Sequence, residues 1–240
     1  MATSQLKPKI GIVSGIGPLA GADVLHKVFK HAAFVYSAVE DNEYPDVALL
    51  NHGIDGVGNS GSLNDDFQSG IITMVHDLES LGATIIGIAC NTAHVYIHKI
   101  RVMKSTILVN LIDAVASEAA KHDNQYLLLT SSVSKQQKLY QPYLHKHGVQ
   151  FTETTDGIQK KLDSAIALVM AHKLNEAGQL LNSVIDWAAA HGCTAIIAGC
   201  TELPIAIGHC QNVGLDVIDS NEVLAAHLTS HYYEGVSTVQ

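Results

Sequence analysis

One pattern occurs twice in this chain of 240 residues, once in each half. Gly82 is followed by Thr84 and, eight residues after the glycine, by Cys90. Gly192 and Cys200 repeat this spacing 110 residues further on, with a threonine at the same place. In both copies an apolar run leads into the cysteine, which is typical of a buried strand. The repeat therefore predicts two similar α/β units, each presenting a thiol at the end of a strand.

Short apolar runs alternate with longer segments of helical periodicity along the whole chain. The runs are apolar throughout, as expected of strands buried on both faces of a parallel sheet, and strand–helix alternation predicts right-handed crossovers. The predicted strands are 9–13, 47–51, 84–89, 106–110, 125–130, 149–152, 194–198 and 215–218. The predicted helices are 19–36, 65–80, 93–103, 111–121, 134–147, 158–171, 176–191 and 222–232.

These patterns predict an α/β fold of two similar lobes, each a parallel sheet flanked by helices. We expect the lobes to be related by a pseudo-twofold axis, with a cleft between them. The first lobe is predicted to span residues 1–112 and the second residues 113–213, and segment 214–240 is expected to return to the first lobe. Because ligands bind at the carboxyl ends of strands in α/β sheets, the interlobe cleft is the predicted site.

Composition excludes several classes of protein. The formal net charge is −9 and the few basic residues are scattered, so nothing predicts nucleic-acid binding. No apolar run reaches the roughly 18 residues that span a bilayer, and residues 1–9 lack the apolar core of a signal peptide. We therefore expect a soluble cytoplasmic protein without a membrane partner. The four cysteines form no CxxC pair, which argues against disulfides there.

The two repeated cysteines have the chemistry of acid–base groups. Cys90 precedes a predicted helix, whose free N–H groups and dipole are expected to lower the thiol pKa. Cys200 is followed by Thr201, which can hydrogen-bond a ligand, and by Glu202, which can hold a positive amine. Two thiols on opposite sides of a carbon can remove a proton from one face and return one to the other. Hydroxyl groups near the strand ends, on Ser14, Thr92, Thr130 and Thr201, can bind the carboxylate of the intermediate.

The first loop, from Ser14 to Ala20, admits a second interpretation. Its glycines, Gly15 and Gly17, match a dinucleotide-binding fingerprint and predict an NAD-dependent enzyme as a rival. The predicted second strand, however, ends without the acidic residue that would bind ribose. A glycine turn that directs backbone N–H groups at a small carboxylate fits equally well.

Histidines are the remaining candidates for a metal site. His94 and His98 have the i, i+4 spacing of metal ligands, but no third ligand accompanies them at a characteristic spacing. We expect a hydrogen-bonding or surface role and no metal.

Three sequence blocks resemble the aspartate/glutamate racemase superfamily, and within it the aspartate racemases. They are Gly15-Ile16-Gly17-Pro18, Cys90-Asn91-Thr92-Ala93-His94 and Gly199-Cys200-Thr201-Glu202-Leu203. The resemblance covers nearly the whole chain. It implies an interlobe active site, a small amino-acid substrate, no pyridoxal phosphate or other cofactor, no metal and a possible homodimer. It also implies that Cys90 and Cys200 are the two catalytic bases. The substrate-binding candidates are Ser14, Gly15, Ile16, Asn51, Asn91, Thr92, Thr130, Ser131, Thr201, Glu202 and Lys160, or Lys161 if the alignment slips by one.

One departure from the family pattern concerns the substrate side chain. The family usually has an arginine after the second strand, where it clamps the substrate's side-chain carboxylate. Residues 51–60 contain no arginine, and Arg101 is the only one in the chain. Lys160 or His52 would have to replace it, unless the substrate has a neutral side chain. The glycine-rich loop is also expected to be mobile and to close over the ligand.

The leading prediction is therefore a PLP-independent amino-acid racemase of the aspartate/glutamate type. Two alternatives remain open at this point. One is a maleate-type cis–trans isomerase of the same superfamily, in which one thiolate adds to a double bond. The other is a non-catalytic small-molecule binding protein that keeps the cleft and has lost the chemistry.

Overall fold

The computed structural model describes residues 9–54, 63–211 and 213–235. The strands are β1 (Ile10–Ser14), β2 (Val47–Asn51), β3 (Ile85–Ile88), β4 (Ile107–Leu108), β5 (Tyr126–Leu129), β6 (Phe151–Glu153), β7 (Ala195–Ala198) and β8 (Asp216–Asp219). The α-helices are α1 (Pro18–Tyr36), α2 (Asp65–Ser80), α3 (Leu111–Ala119), α4 (Ser132–Gln136), α5 (Gln141–Lys146), α6 (Asp156–Met170), α7 (Leu174–Ala190), α8 (Leu203–Ile207) and α9 (Ser220–Glu234). Two 3₁₀ helices cover Asp41–Glu43 and Thr92–Lys99.

The strands form two four-stranded parallel sheets with the same order. The first sheet runs β2-β1-β3-β4 and the second β6-β5-β7-β8, so each strand has a counterpart in the other sheet. The central strands β1, β3, β5 and β7 are buried at every position, as their uninterrupted apolar sequences require. The predicted α/β fold of two similar lobes with parallel sheets and flanking helices is confirmed.

The helices follow from their capping residues and apolar faces, as α2 illustrates. The Asn64 side chain accepts a hydrogen bond from the N–H of Phe67. Two aspartates occupy the first turn, where their negative charges interact favourably with the positive end of the helix dipole. Phe67, Ile71 and Leu78 recur at helical spacing and are fully buried. This face closes one side of the first sheet.

The C-terminal segment is shared between the lobes. β8 pairs with β7 in the second sheet, whereas α9 packs against α1 and β3 of the first. Leu224 and Leu228 of α9 fit against Gly87, where a Cβ would lie 3.0–3.1 Å from their methyl groups. Within the segment 214–240, α9 therefore packs on the first lobe, whereas β8 belongs to the second sheet. The predicted boundary between residues 112 and 113 falls inside α3.

Two helix predictions need correction. The segment 134–147 is not one helix but two, α4 and α5, because the chain turns at Lys138, which has a φ of 49°. The segment after Cys90 forms a 3₁₀ helix from Thr92 to Lys99 instead of an α-helix over 93–103. In the part of the chain that the structure describes, no helix combines the length and the apolar character that crossing a membrane requires.

Candidate active site

Equivalent strands of the two sheets bring the two repeated cysteines to one cavity. Cys90 lies two residues after the end of β3, and Cys200 lies two residues after the end of β7. Both thiols are buried and line the same cavity of about 260 Å³. The other residues that line it are Gly15, Ile16, Gly17, Ile54, Asn91, Thr92, Ser131, Ile166, Met170, Thr201 and Glu202. The cavity therefore draws on both lobes at the carboxyl ends of their strands.

The loop after β1 closes one side of the cavity and requires both of its glycines. Gly15 and Gly17 have φ values of 93° and 83°, a region that residues with a Cβ rarely adopt. A Cβ on Gly15 would lie 2.2 Å from the carbonyl oxygen of His52, and one on Gly17 would lie 1.9 Å from Glu202 Oε1. The glycines therefore permit close approach to the loop after β2 and to the Glu202 carboxylate.

Of the residues that the structure describes, Glu202 is the only charged one that lines the cavity. Its side chain is buried, and Oε2 accepts hydrogen bonds from Cys200 Sγ at 3.1 Å and from Thr201 Oγ1 at 3.2 Å. Burial raises the pKa of this carboxyl group, and the two donors offset part of that increase. Glu202 is thus a buried acceptor that favours a positively charged group in the cavity.

The surroundings of both thiols favour their protonated form. Burial, and secondarily the nearby Glu202, raise the pKa of Cys90 to about 12. The same two causes raise the pKa of Cys200 well above its usual value. Backbone N–H groups of Thr92 and Ala93 do lower the Cys90 pKa, but by less. The prediction of a lowered Cys90 pKa was therefore wrong, because the loss of hydration outweighs the N–H groups at the helix start.

A cluster of hydroxyl groups joins the lobes beside Cys90. Thr92 Oγ1 lies 3.0 Å from Ser134 Oγ and 3.3 Å from Ser131 Oγ. Ser131 also caps α4, since its Oγ accepts a hydrogen bond from the N–H of Ser134. The cluster places hydroxyl groups from both lobes at one wall of the cavity.

The turn between β8 and α9 holds both cysteine loops. Ser220 Oγ accepts a hydrogen bond from Asn91 Nδ2 at 3.2 Å, next to Cys90. Asn221 Nδ2 donates to the carbonyl of Thr201 at 2.9 Å, next to Cys200. Ser220 and Asn221 are fully buried, so consecutive residues fix the two loops relative to each other.

His94 has a defined tautomer and a structural role. Its Nε2 accepts a hydrogen bond from the backbone N–H of Leu111 at 3.2 Å, so the proton lies on Nδ1. Nδ1 donates to the carbonyl of Cys90 at 2.9 Å. Burial lowers the pKa of His94 to about 4, which keeps the ring neutral. His94 thus provides the predicted hydrogen-bonding role, whereas His98 is exposed.

The structure brings most of the predicted site residues to the cavity. Those that line it are Gly15, Ile16, Cys90, Asn91, Thr92, Ser131, Cys200, Thr201 and Glu202. The other four, Ser14, Asn51, Thr130 and Lys160, do not line it.

Ser14 and Asn51 bond to each other behind the glycine loop, where Ser14 Oγ donates to Asn51 Oδ1 at 3.1 Å. Thr130 is buried, and its carbonyl accepts from Gln159 Nε2 at 2.9 Å. Lys160 is exposed on α6, so the structure does not place it as a substrate ligand. The alternative Lys161 donates to Ser183 Oγ of α7. The α6 residues that line the cavity are Ile166 and Met170.

The sequence analysis missed four residues that line the cavity, namely Gly17, Ile54, Ile166 and Met170. Gly17 belongs to the first loop, which had been identified. Ile166 and Met170 lie one helical turn apart on α6 and have the spacing of ordinary core residues. The predicted mobile loop coincides largely with residues 55–62, outside the described residues.

Comparison with known proteins decides the family. The family model described as Asp/Glu/hydantoin racemase matches residues 13–228. The chain belongs to this family. Membership makes it an isomerase that racemises amino acids without a cofactor, and it confirms the predicted relation to the aspartate and glutamate racemases.

Similar proteins agree with this assignment. The broad specificity amino-acid racemase RacX of Bacillus subtilis is 25% identical over 93% of this chain and 97% of that protein. The aspartate racemase of Picrophilus torridus is 26% identical, with a TM-score of 0.81 over 93% of this chain and 94% of that one. A glutamate racemase of Bacillus anthracis is 15% identical and shares the fold, with a TM-score of 0.70 over 95% of this chain and 83% of that one.

Proposed function

We propose that the chain racemises an amino acid by a two-base mechanism in which Cys90 and Cys200 exchange the α-proton. The observation that carries the proposal is that both thiols, delivered by equivalent strands of the two lobes, line one buried cavity. One sulfur, as thiolate, takes the α-proton from one face of the substrate, so that the C–H bond breaks and an S–H bond forms. The other thiol then gives its proton to the opposite face. The roles are reversed for the other enantiomer.

The remaining polar groups of the cavity suit the amino-acid head. Glu202 would pair with the substrate ammonium, since within the described part of the chain it is the only charged residue lining the cavity. Asn91, Thr92 and Ser131 offer amide and hydroxyl donors for the carboxylate, whose negative charge increases as the α-proton leaves. An ammonium bound to Glu202 also offsets the charge that raises both thiol pKa values. Substrate binding is therefore expected to favour formation of the reactive thiolate.

The similar proteins support racemisation, although they do not agree on the substrate. RacX is described as a broad specificity amino-acid racemase, whereas the Picrophilus torridus protein is described as an aspartate racemase. The two-base step applies to either kind of substrate, because it involves only the α-carbon.

The test is replacement of each cysteine. Cys90→Ala and Cys200→Ala are each expected to lower racemisation by at least about 100-fold, because general acid–base groups typically contribute roughly 10²–10⁴-fold and each direction needs both. Inversion is followed by chiral chromatography and α-proton exchange by NMR in D₂O, over a panel of L- and D-amino acids. Cys210→Ala is the matched control, since Cys210 does not line the cavity. Full racemisation in both directions by Cys200→Ala would refute the mechanism.

A further inference from the structure

We infer that the substrate has an uncharged, mainly apolar side chain, held at the outer end of the cavity by Ile16, Ile54, Ile166 and Met170. We call these four residues the apolar mouth. The inference rests on the proposed function, because it assumes that the amino-acid head lies between Cys90 and Cys200.

Burial orients the substrate along the cavity. The cysteines, Asn91, Thr92, Thr201 and Glu202 form its inner end, and each is at most 7% exposed. The residues of the apolar mouth are partly exposed, and Met170 reaches 52%. A substrate whose α-carbon lies between the buried thiols must therefore extend its side chain toward the apolar mouth.

The described residues place no cation in the cavity for an acidic side chain. None of the described lysines lines it, nor does Arg101, and residues 55–62 contain neither lysine nor arginine. Lys27 is engaged with Asp23 and Asp219, and Lys135 with the Thr154 carbonyl. His52 lines a neighbouring cavity, together with Asp66 and Asp77. A side-chain carboxylate would lie in the same enclosed space as the buried Glu202 without a compensating charge.

A positively charged side chain fits no better. Among the described lining residues Glu202 is the single acidic group, and the substrate ammonium occupies it in the proposed mechanism. The apolar mouth offers a second cation no acceptor, whereas it offers an aliphatic side chain an apolar surface. The cavity therefore disfavours both acidic and basic substrate side chains and accepts aliphatic ones.

The first experiment measures binding and reaction separately. Saturation-transfer NMR measures binding of leucine, methionine, aspartate, glutamate and lysine, and α-proton exchange in D₂O measures reaction. We expect leucine and methionine to bind and to exchange their α-protons. The values of kcat/KM for aspartate and glutamate should be at least about 100-fold lower, which is a difference that binding pockets can produce between related substrates. Preferred binding of aspartate, glutamate or lysine would overturn the inference.

The two readouts separate the inference from the proposed function. Exchange confined to aspartate and glutamate would support racemisation and overturn the proposed side-chain class. Selective binding of leucine and methionine without exchange would support the side-chain class and overturn the mechanism. The absence of both binding and exchange for the whole panel would overturn both.

A substitution that places a positive charge in the apolar mouth tests the same inference. The side chain of Met170 lies beside Gly17, which adjoins Glu202, so Met170→Lys would offset the negative charge of the cavity. The ratio of kcat/KM for aspartate to that for leucine is expected to rise at least about tenfold, the lower end of the discrimination that such pocket changes give. Met103→Lys is the matched control, because Met103 has nearly the same exposure, 51%, and does not line the cavity. An unchanged ratio in Met170→Lys, or an equal rise in both variants, would contradict the inference.

Discussion

At the scale of single residues, Glu202 has two opposing effects on the proposed reaction. Its negative charge raises the pKa of both thiols, yet the same charge is available to hold the substrate ammonium. Glu202→Gln is therefore expected to lower both thiol pKa values. Below those pKa values, each unit of decrease increases the thiolate fraction about tenfold. Alkylation of Cys90 and Cys200 by iodoacetamide at pH 8 should then become faster, while racemisation becomes slower.

The two readouts can be followed on the same preparation. Mass spectrometry assigns alkylation to each cysteine over a range of pH, and chiral chromatography measures racemisation. Glu176→Gln is the control, because this glutamate is exposed on α7, where it pairs with Lys173, and does not line the cavity. Slower alkylation in Glu202→Gln would show that Glu202 favours the thiolate, contrary to the pKa argument. Unchanged racemisation would show that it does not bind the ammonium.

At the scale of elements, the turn between β8 and α9 determines how the cysteine loops face each other. Asn221 Nδ2 donates both to the Thr201 carbonyl and to Asp23 Oδ2 of α1. Asn221→Ala leaves the buried Thr201 carbonyl without its donor, whereas Asp23 keeps its contact with Lys27. The unpaired carbonyl costs about 1–3 kcal/mol of unfolding free energy. A displaced Cys200 loop should also lower kcat by roughly 10–100-fold, with a smaller change in KM, since small misplacements of reacting groups are costly.

The kcat and KM values distinguish positioning from a general loss of stability. Measured well below the unfolding temperature, a purely structural role for Asn221 would leave kcat per folded molecule unchanged, and that result would contradict the proposal. Asn175→Ala is the control, because Asn175 is an exposed residue of α7 that contacts His209. Its kcat and unfolding temperature should both stay close to those of the unaltered chain.

Local sequence patterns predicted most strands and helices, because apolar runs and helical periodicity involve only residues that are close in the sequence. The strands of the described residues and their parallel arrangement follow from mainly apolar runs separated by helical segments, although β6 and β8 include acidic residues. The predictions failed where tertiary contacts decide. The turn at Lys138 divides a segment of continuous helical periodicity, and α8, whose five residues are too few for a periodic pattern, was not predicted.

The candidate site was predictable only in part, because several of its features depend on contacts between residues that are distant in the sequence. The cysteine loops are identifiable because their residue types carry chemistry at repeated positions. Ser220 contacts Asn91 across 129 residues of sequence, and no local pattern indicates that contact. Ile166 and Met170 resemble ordinary core residues, and their role depends on where the glycine loop lies. The thiol pKa values depend on burial from both lobes, which the sequence of one loop does not reveal.

At the scale of the whole molecule, the two lobes share a continuous core. One cluster of buried side chains includes Ile12 of β1, Ile197 of β7 and Leu228 of α9. α9 follows β8 of the second sheet and covers β3 of the first, so it links the packing of both lobes. The lobes are therefore expected to unfold together in one cooperative transition.

Leu228→Ala tests this expectation, because the chain's only tryptophan reports from the other lobe. Leu228 is fully buried against the first sheet, whereas Trp187 lies on α7 and stacks on His191. The substitution should lower the unfolding free energy by about 2–5 kcal/mol. In urea, Trp187 fluorescence and far-UV circular dichroism should give the same shifted midpoint. Leu81→Ala, at a site that is 52% exposed, should change this midpoint little.

The opposite result would be a fluorescence midpoint that stays unchanged while the circular dichroism shows two transitions. That result would mean that the lobes unfold separately. The geometry of the two thiols would then depend on lobe docking and not on one shared core.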